Sequence, residues 1–145
     1  MKIITYPNKI LEKKAKKIKD PLDAEIQKLI KKMIETLQTA EGAGLAAPQV
    51  GKSIRLCIVR YEENTYILIN PQITSYSRAT ITREEGCLSF PGKFIPIKRA
   101  EKIKARYTDE KGNKIKTKAE GLFARIIQHE IDHLNGILFI KRAKK

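Results

Sequence analysis

The sequence predicts an α+β fold in which antiparallel strands pack around a central C-terminal helix, with a second helix near the N-terminus. Residues 20–40 repeat apolar side chains at 3/4 spacing (Ile26, Leu29, Ile30, Met33, Ile34 and Leu37), which makes one buried helical face. A second helical pattern closes the chain. The runs between the two are short and strand-like, and helices at both ends with meandering strands between them fit α+β better than βαβ repeats.

The elements follow in order. Asp20 is placed to cap the first helix, and Pro21 suits its first turn. "EGAGLAAPQVG" then breaks the helix and reads as a loop. "IRLCIVR" and "YILIN" are short apolar strands. "EKIKARYTD" alternates, with Ile103, Ala105 and Tyr107 on one face and Lys102, Lys104 and Arg106 on the other. "DEKGN" is a turn, so Lys102–Thr108 and Lys114–Lys118 are expected to pair as a hairpin. The last helix is expected from about Ala119 to Asn135, with Thr117 and Glu120 at capping-box spacing and Gly136 as its terminator. Leu122, Ile126, Ile127, Ile131 and Leu134 give it broad apolar coverage, as a central helix needs.

A chain of 145 residues suits one domain, 1–145, that buries about 68–70% of its unfolded surface. Hydrophobic residues at 41% and charged residues at 32% exclude a disordered chain. No apolar run approaches the roughly 20 residues of a membrane span. "MKIITYPNKI" lacks the apolar region of a signal peptide, so the expectation is a cytoplasmic protein without a membrane partner. The net charge of +14 suits a polyanion such as RNA. Much of the excess is Lys spread along the whole chain, however, and no RNP-type motif or zinc-finger spacing accompanies it.

The chemistry gathers in "QHEIDHLNG". Four residues of helix turn about 400°, so His129 and His133 point within roughly 40° of each other and can close on one metal ion. Glu130 projects about 100° away, out of bonding range but within reach of a water at that ion. No other histidine exists, and "LNGILFIKRAKK" after His133 contains no ligand type, so a third ligand must lie upstream. Cys87, in "EEGCLSFPG", is the best candidate, because a thiolate binds transition metals strongly; Glu85 is a weaker one. Three protein ligands leave a position open, which marks a catalytic site. Recruiting Cys57 would instead close a structural Cys₂His₂ site, but Cys57 sits in the apolar run "IRLCIVR" without a CxxC partner and reads as core.

Three motifs, "GAGLAAPQ" (Gly42–Gln49), "EGCLS" (Glu85–Ser89) and "QHEIDH" (Gln128–His133), occur in an order and spacing that resemble the peptide deformylases. These enzymes remove the formyl group from the N-terminal methionine of new bacterial and organellar proteins. The resemblance covers nearly the whole chain, from "TYPNKILEKKAK" to "HLNGILF". It implies Cys87, His129 and His133 as ligands of one divalent metal ion, with Fe²⁺ physiological and Zn²⁺ or Ni²⁺ as replacements on purification. It implies Glu130 as general base and acid, and the Gln49 amide and Leu88 N–H as oxyanion donors. A metal ion there lowers the pKa of a water from about 15.7 to about 7 and polarises the formyl oxygen.

The resemblance further implies that Gly42, Ala43 and Gly44 lie extended beside the N-formyl-methionyl nascent peptide. Glu85 and Gly86 match positions near the site, Arg99 would pair with Glu85, and Leu122 and Arg125 would line the methionine pocket. Ala43 departs from the family's usual Val or Ile and would widen that wall. Many bacterial members carry a further C-terminal helix, used in some for ribosome docking. Here the chain runs twelve residues past His133, and the basic tail "KRAKK" or the general positive charge is expected to substitute. The expected state is a monomer. Another metal-dependent amidase, or a basic RNA-binding module with a vestigial site, are the competing classes.

Overall fold

A computed structural model describes residues 1–143; Lys144 and Lys145, the end of the basic tail, lie outside the described residues. The first helix, α1, spans Ala24–Ala40, not residue 20 onward. Asp23 is its cap, accepting from Glu25 N at 3.0 Å. Asp20 instead caps the turn before it, accepting from Leu22 N, and the Asp23 N–H closes that turn on the Asp20 carbonyl. Two Asp residues three apart offer alternative caps, and Pro21 sits in the turn between them.

The segment expected as a loop after α1 contains a short strand, β1 (Gly44–Ala46), and a single 3₁₀ turn, Ala47–Val50. Strands β2 (Leu56–Tyr61) and β3 (Asn64–Tyr76) follow as an antiparallel pair. β4 (Thr80–Cys87) and β5 (Phe90–Ala100) form a separate two-stranded ribbon. β6 (Lys102–Thr108) and β7 (Lys114–Glu120) form the expected hairpin, extended to Glu120. With β1, β2 and β3 they make a five-stranded sheet of order β1-β2-β3-β6-β7. "EEGCLSFPG" is therefore not a free loop: Glu85–Cys87 end one strand of the ribbon, Phe90 begins the next, and Leu88–Ser89 turn between them.

Successive residues of a strand face opposite sides, and β2 shows it with both sides buried. Leu56 and Ile58 pack with Leu29, Ile30, Met33 and Leu37 of α1. Cys57 and Val59 pack with Ile127, Ile131 and Leu134 of α2 (Gly121–Leu134). Strands β1–β3 are thus sandwiched between the two helices, whereas β6 and β7 are covered on the α2 side alone. A third cluster, with Leu11, Phe90, Ile97 and Phe139, joins the ribbon to a closing turn of helix, α3 (Phe139–Arg142).

α2 begins at Gly121, two residues later than expected, because Ala119 and Glu120 still pair with Ile103 and Lys102 in the ladder. Thr117 lies in β7 and Glu120 makes no side-chain cap, so the capping box does not form. At the other end Gly136 has φ of +71°, and its N–H reaches the His133 carbonyl at 3.1 Å. α2 is buried continuously from Ala124 to Leu134, polar residues included, which places its charged groups between the sheet and the ribbon.

Candidate active site

Three residues on two elements supply the ligand candidates. α2 carries His129 and His133 one turn apart, with ring centroids 5.0 Å apart. The end of β4 brings Cys87 Sγ to 3.3 Å from His133 Nε2. One donor atom from each of the three residues lies within 4.8 Å of the others. A tetrahedral set at about 2.0–2.3 Å from a central ion has its donors about 3.3–3.7 Å apart, so the trio fits a metal ion. Cys57, fully buried under α2, is not among them.

The surroundings of His129 fit the same purpose. Its Nδ1 lies 2.9 Å from Glu85 Oε1, which leaves Nε2 to face the trio. Burial opposes a charge on His129, but hydrogen bonds to Cys87 and Glu85 outweigh it and push the imidazole to about 10. Ligation requires neutral imidazole, so a metal ion would displace that proton. Burial and the charges of His129 and Arg99 hold His133 neutral, well below the usual histidine range. Burial also opposes ionisation of Glu85, yet the bonds from His129 and Arg99 hold its carboxyl down at about 2.

Glu85 does not stand alone. Arg99 grips it with two bonds, of 2.7 and 2.9 Å, and Arg125 adds a third. Arg99 also bonds Asp132 at 2.7 Å, and Asp132 in turn holds Arg142 of α3 through two bonds of 2.8 and 3.0 Å. Arg125 is buried, its guanidinium bonded to the Ile97 and Ile81 carbonyls as well as to Glu85. It borders the cavity, as Glu85 does, but with its polar groups engaged in holding the ribbon to α2.

Glu130 is 3% exposed, and its Oε1 has no hydrogen-bond partner among the described residues. Burial pushes its carboxyl up; His129 and Arg99 pull it back, and Glu85 and Asp132 push again, leaving it at about 7. A buried carboxylate with one free oxygen and balanced proton affinity can accept and return a proton. Gly44 of β1 lies against it: a Cβ there would sit 2.7 Å from Glu130 Cδ. Glycine is required here by close approach, not by dihedral angle.

Gln49 ends deep in the same site, 1% exposed. Its Oε1 accepts from Ala46 N at 2.9 Å, and its Nε2 donates to Ser89 Oγ at 3.0 Å and points at Cys87 Sγ at 3.8 Å. Ser89 donates onward to the Ile4 carbonyl. The Leu88 N–H follows Cys87 in the same turn. The whole opens into a cavity of about 580 Å³, lined on one side by Gly42, Ala43 and Gly44 and on the other by Gly86, Leu88 and Phe94, with Leu122, Ile126, His129 and Glu130 of α2 as its floor. Phe94 and Leu122 are large apolar residues left 67% and 59% exposed, on the rim.

The site candidates of the sequence thus line one cavity, except His133, buried beside Cys87 and His129, and Arg99, which lies behind Glu85. Sequence reasoning missed Asp132 and Arg142, Ser89, Ile126 and Phe94. Asp132 and Ser89 lay inside quoted motifs, where a buried charge and a buried hydroxyl beside ligands call for partners. Phe94 and Ile126 carried no signal apart from hydrophobicity.

Residues 1–145 match the family model described as polypeptide deformylase. A peptide deformylase of Dictyoglomus turgidum is 48% identical over 143 residues, covering 99% of this chain and 92% of that protein. The crystal structure of peptide deformylase from Thermotoga maritima superposes with a TM-score of 0.94 at 41% identity, covering 97% of this chain and 95% of that one. A Synechococcus elongatus peptide deformylase, solved in complex with actinonin, gives 0.96 at 38% identity, with 100% and 79% covered.

Proposed function

The chain belongs to the polypeptide deformylase family; from that premise we propose that it hydrolyses the formyl group from N-formyl-methionyl peptides, releasing formate, as one catalytic unit over residues 1–145. The observation that carries the reading is the convergence of a free, buried Glu130 oxygen on the cavity that the Cys87, His129 and His133 trio faces.

Cys87, His129 and His133 would hold one divalent metal ion, and an ion of that kind supplies Lewis acidity toward the formyl oxygen and acidity to a water. Fe²⁺ is the proposed physiological ion, with Zn²⁺ or Ni²⁺ as replacements. Glu130 takes the proton of the attacking water and returns it to the leaving amine. The Gln49 amide and the Leu88 N–H stabilise the oxyanion; one such donor is worth about 2.7–4 kcal/mol.

β1 is an edge strand, paired with β2 on one side only. An extended peptide can add to its free edge, with Gly42–Gly44 bonding the substrate backbone. Leu122, Ile126, Phe94 and the apolar part of Arg125 then enclose the methionine side chain, and Gly86, without a Cβ, lets the Phe94 ring lie close against its strand. Ala43, being small, leaves the next side chain weakly constrained. Glu85 acts through His129, and Arg99 acts through Glu85, so both are positioning residues. The proposed setting is cytoplasmic and monomeric, acting on nascent chains at the ribosome; no helix among the described residues is long and apolar enough to cross a membrane.

The test is Glu130→Gln. It should keep one metal ion per chain and lose about 10²–10⁴-fold in turnover. Near-normal turnover in that variant would remove Glu130 from its role.

A further inference from the structure

The β6–β7 hairpin carries a second feature, unrelated to the cavity. Its inward side is apolar: Ile103 and Ala119 belong to the core cluster that contains α2, and Tyr107 packs against it. Its outward side is almost purely cationic. Lys102, Lys104 and Arg106 alternate outward along β6, and Lys114, Lys116 and Lys118 do so along β7, all six exposed. The register places like charges directly opposite one another, Lys104 against Lys118 and Arg106 against Lys116. Among the described residues only Lys102 of these six has an acidic partner at ion-pair distance, Glu120 at 3.8 Å.

Such an arrangement opposes folding. Like charges directly opposite on a ladder repel at the closest cross-strand spacing. Any alternation of Lys with Glu would have given a soluble outer face without that repulsion. The inward residues already fix the register, so the outward charges are free to vary without disturbing the core. A face held in a repulsive state gains stability when a polyanion covers it.

We propose that the outward face of β6–β7 binds the phosphate backbone of RNA. Cations two residues apart on a strand are spaced about 6.8 Å, and the neighbouring strand adds a second row about 4.8 Å away, so two rows of charge are presented on a rigid ladder. Gln72 of β3 extends the face with a polar group, accepting from Arg106 at 2.8 Å. The outward cationic positions carry no apolar side chain to insert into a lipid surface, which favours a backbone of phosphates over a membrane. The face points away from α2, so RNA bound there leaves the cavity and the peptide path open. The site is one of docking, not of catalysis.

The test is binding of a fluorescein-labelled RNA hairpin, followed by anisotropy from 50 to 300 mM KCl, a range set by the salt sensitivity of phosphate binding. The variant is Lys104→Gln, Arg106→Gln, Lys116→Gln and Lys118→Gln combined. A control removes an equal charge from the N-terminal segment, through Lys13→Gln, Lys14→Gln, Lys17→Gln and Lys19→Gln. Hydrolysis of a formyl-methionyl peptide should be unchanged in both and reports folding. The expected result is a tenfold or greater loss of RNA affinity in the hairpin variant only. Its slope of log affinity against log salt should be shallower by about 3, at roughly 0.7–0.9 for each phosphate that is no longer neutralised. Equal losses in the two variants would show diffuse attraction and overturn the proposal. Absence of binding by the unmodified protein, or tighter binding to phosphatidylserine vesicles than to RNA, would overturn it as well.

Discussion

Glu85 Oε1 lies 2.9 Å from His129 Nδ1, and that one bond decides which nitrogen of the ring faces Cys87 and His133. Glu85 is itself held by Arg99, Arg99 by Asp132, and Asp132 by Arg142, so the ring's orientation is fixed from a strand of the ribbon, from its own helix and from α3. Phe139 of α3 adds an edge-on approach to the His129 ring at 5.8 Å. Glu85→Gln should weaken metal affinity about 10–100-fold, the usual cost of losing a carboxylate behind a ligating histidine. Chelator competition measures this. The same change strips charge from a buried pair with Arg99, which costs about 3–5 kcal/mol; unfolding of the metal-free protein separates the two effects. An unchanged affinity would mean that His129 is oriented without Glu85.

Gly44→Ala should damage catalysis while sparing the metal. The new Cβ would sit 2.7 Å from Glu130 Cδ and 2.8 Å from its Cγ, so the carboxylate must move. Displacement of about 1 Å at a reacting group can cost about 10²-fold in rate. The expected outcome is one metal ion per chain with kcat down by that order.

The Gln49 amide is aimed by two neighbours, Ala46 N at its oxygen and Ser89 Oγ at its nitrogen. Gln49→Ala should lower kcat by about 10²–10³-fold if the amide meets the oxyanion. Ser89→Ala removes only the guide and should lower kcat less, with KM little changed. Steady-state kinetics on one formyl peptide compares them. A Ser89 variant as impaired as the Gln49 variant would point to a loss of folding between Ile4 and the β4–β5 turn.

Much of the fold was legible because its signals are local. The 3/4 spacing of Ile26 to Leu37 needs no partner to be read, nor does the alternation of Lys102 to Thr108. What failed depended on competition. Asp20 and Asp23 were both able caps, and the winner was set by the turn through Pro21. Thr117 and Glu120 matched a capping box, but the pairing of Glu120 with Lys102 kept the strand going. The β4–β5 ribbon was hidden because Gly86 and Pro91 read as loop signals, while its pairing partners lie across a turn of only Leu88 and Ser89. The trio was legible from "QHEIDH" and from two upstream cysteines, of which Cys57 sits in an apolar run and leaves Cys87, since ligand chemistry limits the choices. The relay from Asp132 to Arg142 was not, because a salt bridge leaves no periodic trace.

Gly136 sets the turn between α2 and α3, and with it the position of Phe139 and Arg142. Its φ is +71°, and a Cβ would lie 2.6 Å from the Glu12 carbonyl oxygen. Gly136→Ala should destabilise the protein by at least about 1–3 kcal/mol, from the left-handed conformation alone. Denaturant unfolding tests this, and a loss under about 0.5 kcal/mol, the usual range for a neutral surface change, would mean that the turn relaxes freely.

The most direct measurement is formate release from a formyl-methionyl peptide by protein purified without air, with an acetyl-methionyl peptide as the comparison and with chelator-treated and Glu130→Gln protein as controls. The predicted result is release from the formyl peptide alone, abolished by chelation and reduced about 10²–10⁴-fold in the variant. Protein that carries one metal ion on Cys87, His129 and His133 and still releases no formate would contradict the account.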